Sequence, residues 1–147
     1  VVVVNKWDIK GHDKNSFEKM LARDLAFMDY FQSIYVSALT GAGVGQIMEN
    51  VEKVYANASK RITTGLLNEI LHDAILNYEP PFRNGRRGKI QYVTQPSTNP
   101  PTFVFFVNDA RLFNFAYTRY LENRFRERID LVGTPIKIIL RGKEDKS

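Results

Sequence analysis

The sequence contains no cysteine, which excludes disulfides and thiolate-bound metals. It has two histidines, His12 and His72, too far apart in the chain to read as a metal pair. No apolar run approaches the roughly 18 residues of a membrane-crossing helix, so no membrane partner is expected. A phosphate-binding GxxxxGK[ST] loop is also missing. The segment Gly41-Ala42-Gly43-Val44-Gly45 is glycine-rich, but no Lys-Ser/Thr pair follows it, so it cannot cradle phosphates as such a loop does. No residue is therefore assigned a catalytic or metal-binding role.

What remains is an ordinary globular composition, 44% hydrophobic and 25% charged, in 147 residues, enough for one domain or two small ones. The charge is uneven. Residues 1–60 carry seven Lys/Arg and seven Asp/Glu, a net of zero; residues 61–147 carry fourteen and nine, a net of +5. Ten of those fourteen cations are arginine, which binds phosphate bidentately and stacks on bases.

The hydrophobic pattern divides at the same place. Val1–Val4 is a β-branched run of the kind found in a parallel strand buried on both faces. A helix follows from about Asn15 to Met28, then a short strand at Ile34–Val36. The turn Thr40–Gly43 leads into a second helix from Val44 to about Ser59, with one face marked by Val44, Ile47, Met48, Val51, Val54 and Tyr55. Strand, helix, strand, helix implies a right-handed crossover in a parallel sheet. In such sheets ligands bind at the carboxyl ends of the strands, where Asn5-Lys6-Trp7-Asp8 and Ser37-Ala38-Leu39 both fall.

Those clusters suit a guanine base. A carboxylate at Asp8 accepts from the adjacent N1–H and N2–H donors of guanine, whereas adenine offers an acceptor and no amino group there. Asn5 has a donor and an acceptor for the N7/O6 edge and for tying the two loops together. Lys6 can lay its methylene stem along base or ribose with its ammonium in water. The Ala38 backbone N–H can donate to O6, and the small side chain lets the backbone approach. The bland alternative is a capped surface turn after a strand.

The second part reads as a mixed module. A helix capped at Thr63 or Thr64 runs to about Tyr78, with Leu66, Leu67, Ile70, Leu71, Ala74 and Ile75 on its apolar side; Glu79-Pro80-Pro81 stops it. Arg83–Gly88 is predicted as a basic loop. Strands are expected at Lys89–Gln95 and Thr102–Val107, joined by Pro96–Pro101. A helix over Phe115–Ile129 follows, with Tyr117, Tyr120, Leu121 and Phe125 inward, then the turn Gly133-Thr134-Pro135, a strand at Ile136–Leu140, and a polar tail from Gly142 expected to fray. Unbroken alternation would turn Ile90, Tyr92, Phe103, Phe105 and Val107 toward the helices, and Val93, Val104, Phe106, Ile139 and Arg141 outward. An apolar outer stripe with basic edges suggests a docking face. On the helix over 115–129, Glu122 and Glu127 stand at helical spacing from the arginines, which reads as a charged surface.

The runs VVVVNKWD and IYVSALTGAGV resemble the fourth and fifth motifs of Ras-like translation-factor GTPases. The blocks LLNEILHDAI, NGRRGKIQYVTQ, NPPTFVFFVN, YTRYLENRFRE and GTPIKIIL resemble the C-terminal region of the Der (EngA) family, bacterial GTPases with two tandem G domains and a KH-like domain. The resemblance covers essentially the whole chain. It implies an α/β fold, with the C-terminal part of a Ras-like P-loop GTPase domain at residues 1–60. A KH-like αββαβ domain at 61–147 would then place a three-stranded sheet under helices on one face.

It implies guanine binding by Asn5, Lys6, Asp8, Ser37, Ala38 and Leu39, GTP/GDP as nucleotide, and Mg2+ in the intact parent. It further implies a role in assembly of the large ribosomal subunit in the bacterial cytoplasm, with rRNA and a neighbouring G domain as partners; the apolar outer stripe is where that G domain is expected to dock. Lacking P-loop, switches and DxxG motif, the chain reads as an inactive piece of a longer enzyme.

Residues Gly85–Gly88 form a GxxG, which in true KH domains lies between two helices and clamps the nucleic-acid backbone. Here it lies between a helix and a strand, so that mechanism does not transfer; the same placement separates the chain from Era, another GTPase with a KH domain. Arg86, Arg87 and Lys89 are candidates for rRNA phosphates, for nucleotide phosphates on a neighbouring G domain, or for a solvated turn. The alternative function is a non-catalytic KH-like module that docks protein rather than RNA. Salt-dependent RNA binding separates the two.

Overall fold

The computed structural model describes residues 1–143; the predicted fraying of the tail beyond Lys143 lies outside the described residues. The described residues form two compact units, one of Val1–Asn57 with Leu131–Pro135, the other of Ala58–Asp130 with residues 136–143.

In the first unit, β1 (Val2–Val4) pairs in parallel with β2 (Ser33–Tyr35), Val3 opposite Ile34. The connection runs through α1 (Lys14–Asp24). Asp13 caps α1 by accepting from the Ser16 N–H at 3.2 Å. The helix predicted to continue to Met28 ends at Asp24 and passes into a 3-10 turn, Ala26–Met28, because no side chain between 14 and 24 is buried to hold another turn. Val3 remains 43% exposed, so the burial on both faces that the valine run suggests is not realised within this chain. α2 spans Gln46–Ala58, and its one buried residue is Asn57; Met48, Val51 and Tyr55 of the expected apolar face are exposed. Leu131–Pro135 belongs to this unit: Gly133 N–H donates to Tyr30 O at 2.7 Å, and Asn57 Nδ2 donates to Val132 O at 3.0 Å. Gly133 has φ +85, and a Cβ there would lie 2.2 Å from Val54 Cγ2. The position admits only glycine on both counts.

The second unit is a three-stranded sheet under two helices. α3 (Thr64–Asn77) is capped by Thr63, whose hydroxyl accepts from Leu66 N–H, and buries Leu67, Ile70, Leu71 and Ala74. β5 (Ile90–Ser97) pairs antiparallel with β6 (Thr102–Val107), and β7 (Lys137–Arg141) lies parallel on the other side of β6. α4 (Phe115–Arg128), capped by Asn114, buries Tyr117, Leu121 and Phe125. Phe125 packs on Phe103 and Phe105 at 5.4 and 5.5 Å between ring centroids. Between α3 and α4, Tyr117 and Tyr120 donate their hydroxyls to Tyr78 O (2.9 Å) and Ala74 O (2.7 Å). This is the predicted αββαβ order.

Two expectations are corrected. The basic loop at Arg83–Gly88 is a minimal hairpin. Its strands β3 (Phe82–Arg83) and β4 (Arg86–Arg87) are joined by Asn84-Gly85, whose φ values of +52 and +72 match the primed turn that this dipeptide favours. The outer sheet face is also different in β5. The register shifts between Ile90, opposite Val107, and Tyr92, opposite Phe106, so Gln91 is an extra residue and the alternation inverts beyond it. Val93 is therefore buried (0% exposed) and Tyr92 faces outward. Val93 lies on the free edge of β5, where the Asn68 side chain from α3 takes the place of a strand: Val93 N–H donates to Asn68 Oδ1 and Asn68 Nδ2 donates to Val93 O, both at 3.0 Å.

Candidate guanine-recognition cleft

The carboxyl ends of β1 and β2 feed two loops that meet. Trp7 N–H donates to Val36 O at 3.0 Å. Lys6 takes a left-handed conformation, φ +62, which turns the chain sharply after the strand. Asn5 Oδ1 accepts from Lys6 N–H at 2.7 Å and from Ala38 N–H at 3.0 Å. The Ser37 hydroxyl donates to Asp8 Oδ1 at 2.6 Å and accepts from Thr40 N–H at 3.2 Å. Asn5 and Asp8 thus each reach a residue about thirty positions away, and the two loops are clasped together.

Ser37 is buried (2% exposed), whereas Leu39 is 87% exposed. An open cleft of about 610 Å³ is lined by Asn5, Lys6, Asp8, Ile9, Ala38 and Leu39. All six residues singled out in the sequence are therefore brought to one place, five as lining and Ser37 beneath it. Gly43 closes the second loop with φ +75, and a Cβ there would stand 2.5 Å from Tyr35 O.

Behind the first loop lies an aromatic cluster that sequence reading did not anticipate. Trp7 stacks on His12 (4.9 Å, 14°) and contacts Tyr35 at 4.4 Å; Phe17 meets both Trp7 and Tyr35 edge-on. The signal was available, since Trp7 sits inside the Asn-Lys-x-Asp run. Its neighbours are scattered in sequence and only the crossover unites them.

The three cations of the second unit are not equivalent. Arg87 is tied down: Nη1 donates to Pro80 O at 2.9 Å and pairs with Glu79 at 2.9 Å, and the guanidinium lies 5.8 Å from the Phe82 ring centroid. Arg86 is more exposed, with Asp109 3.8 Å away. Lys89 donates its backbone N–H to Asn108 Oδ1 at 2.8 Å and carries its side chain outward. On α4, Arg124 pairs with Glu127 and Arg126 with Glu122, as helical spacing predicts, whereas Arg128 reaches Glu69 and Asp73 of α3. Among the described residues no group of three or more His, Asp or Glu could hold a metal ion, and no helix is long and apolar enough to cross a membrane.

Residues 61–141 match the family described as "KH-domain-like of EngA bacterial GTPase enzymes, C-terminal". The chain belongs to this family. It is similar over nearly its whole length to proteins named GTPase Der. Identity is 46% over 148 residues with that of Clostridium tetani, covering 99% of this chain and 34% of the relative. It is 47% over 148 residues with that of Clostridium novyi, at 99% and 34% coverage, and 46% over 146 residues with that of Alkaliphilus oremlandii, at 97% and 33%. The chain thus spans about a third of the length of the Der proteins it matches.

Proposed function

We propose that the chain is the C-terminal third of a longer bacterial GTPase of the Der kind, and that it contributes base recognition to a G domain. The observation that carries this reading is the clasp between the two loops. Ser37 and Asn5 fix the Asp8 carboxylate and the Ala38 backbone around one cleft. A carboxylate oxygen has two lone pairs, so Asp8 can hold Ser37 and still accept from guanine N1–H and N2–H. Ala38 N–H, engaged by Asn5 in the structure, would be shared with or passed to guanine O6. A base lacking the two donors leaves Asp8 only its bond from Ser37, with the carboxylate covered but unmatched by the base, at a cost of about 1–3 kcal/mol. GTP or GDP is the nucleotide of this reading; phosphate and Mg2+ binding, and hydrolysis, fall to parts of the longer protein that carry a P-loop.

The residue set is tested by Asp8→Asn in the full-length protein. The amide donor suits the carbonyl that xanthine presents in place of the amino group, so preference should move from guanosine to xanthosine nucleotides. Unchanged discrimination in a nucleotide-competition assay would remove Asp8 from the base.

The KH-like module is proposed to contact rRNA during assembly of the large ribosomal subunit in the cytoplasm. The basic balance of residues 61–147 and the exposed Arg86 support this. The engagement of Arg87 by Glu79 and Pro80 favours a second reading, in which the hairpin is a protein-docking element.

A further inference from the structure

A row of flat groups crosses the outer face of the KH-like sheet. Tyr92 on β5 stacks on its register partner Phe106 on β6, with centroids 4.3 Å apart and planes 16° from parallel. Arg141 on β7 is the register partner of Phe106 and holds its guanidinium 5.7 Å from that ring. The row exists because the extra residue at Gln91 turns Tyr92 outward. Tyr92, on the edge strand, is 42% exposed. It leaves a cleft of about 340 Å³ lined by Gln91, Tyr92, Phe106, Arg141 and Lys143 among others.

Beside it is a second hollow of about 220 Å³ that shares Gly142 and Lys143 and is walled by Arg86, Asn108, Asp109 and Arg111. Asp109 accepts from Arg111 Nε at 3.0 Å and Nη2 at 2.9 Å and lies 3.8 Å from Arg86. Its bonds from Arg111 hold its carboxyl below the usual range, so it stays ionised and orients both guanidiniums. Among the described residues that wall this hollow, the cations Arg86, Arg111 and Lys143 stand with the one carboxylate of Asp109.

A ring-sized cleft with an aromatic wall and an amide, continuous with a cationic hollow, has the two parts that a nucleotide needs. Unpaired bases stack on exposed aromatic side chains of a sheet, and arginine extends such stacks. We propose that this face binds single-stranded RNA, with a base added to the Tyr92–Phe106–Arg141 row and a neighbouring phosphate among Arg86, Arg111 and Lys143. The proposal rests on the rRNA reading of the module. It locates that contact on the sheet rather than in a GxxG clamp.

A duplex conceals its base faces and offers Tyr92 nothing to stack on. A docked protein would need roughly 800 Å² of matched surface per partner, whereas a patch bounded by Arg141, Lys143 and Arg86 complements an anion.

The test is fluorescence anisotropy of the protein with a short labelled single-stranded RNA and with the same strand annealed to its complement. The single strand should bind more tightly than the duplex. Tyr92→Ala should weaken single-strand binding about tenfold and leave duplex binding unchanged, while Tyr92→Phe retains it. Arg86→Ala should weaken both and flatten the salt dependence. Wild-type affinity in Tyr92→Ala would overturn the stacking site while leaving the rRNA reading intact, and is the result a protein partner on this face would give. Equal affinity for duplex and single strand would also overturn it. No RNA binding by the wild type at low salt would overturn both, without touching the guanine cleft.

Discussion

Tyr117 shows how one buried hydroxyl couples packing to pH. Its ring is 1% exposed, and its hydroxyl donates to Tyr78 O. Burial first, then the nearby Tyr120, Tyr78 and Glu79, push its phenol well above the ordinary 10.0. A folded-state value above the unfolded one means that the stabilising contribution is complete below the unfolded value and is lost as pH rises toward the folded one. Alkaline unfolding followed by circular dichroism should therefore set in above pH 10. Tyr117→Phe should move that onset upward, while costing about 1–3 kcal/mol at neutral pH because Tyr78 O is left without its donor. An unchanged alkaline onset would show that Tyr117 does not govern it.

At the scale of elements, the Asn84-Gly85 hairpin is held from several sides. Gly88 N–H donates to Pro81 O at 2.9 Å, and Asn108 Nδ2 donates to Arg87 O at 3.0 Å. Gly85→Val forces a β-branched residue into positive φ, at a cost of roughly 1–2 kcal/mol. Amide exchange at Gly88 and Lys89 should accelerate roughly tenfold, with the β6 amides unchanged; uniform acceleration would mean that the hairpin is not a separate unit of opening.

The elements that could be read in advance are those whose pattern is local. The apolar stripe of α3 and the caps at Thr63 and Asn114 belong here. So does the Asn5–Asp8 run after a valine strand, which put the cleft within reach because both loops end strands of a parallel pair. What could not be read depends on pairing. The extra residue at Gln91 is invisible until β6 supplies a partner, and it inverts Tyr92 and Val93. The role of Asn68 as a substitute strand arises only once α3 lies beside β5. The Asn84-Gly85 turn is legible, since that dipeptide is a hairpin signal, although the arginines on either side of it give the segment the character of a basic loop.

Across the whole molecule the core is unequally shared. Of the buried hydrophobic residues among those described, only Ile34, Val36 and Leu131 lie in the first unit, while Leu67, Phe103, Phe105, Tyr117, Leu121 and Phe125 anchor the second. Met48, Phe27 and Tyr55 meanwhile stay exposed. The first unit should open at lower denaturant than the second. Hydrogen exchange should find residues 1–57 weakly protected and β6 and α4 strongly protected. A single transition with uniform protection would contradict this division.

The placement of Trp7 has a practical consequence. It is the chain's one tryptophan, it stands between Lys6 and Asp8, and it is stacked on His12. Excited at wavelengths where tyrosine does not absorb, its emission reports on the cleft alone, so the protein carries its own optical label for the part proposed to meet the nucleotide.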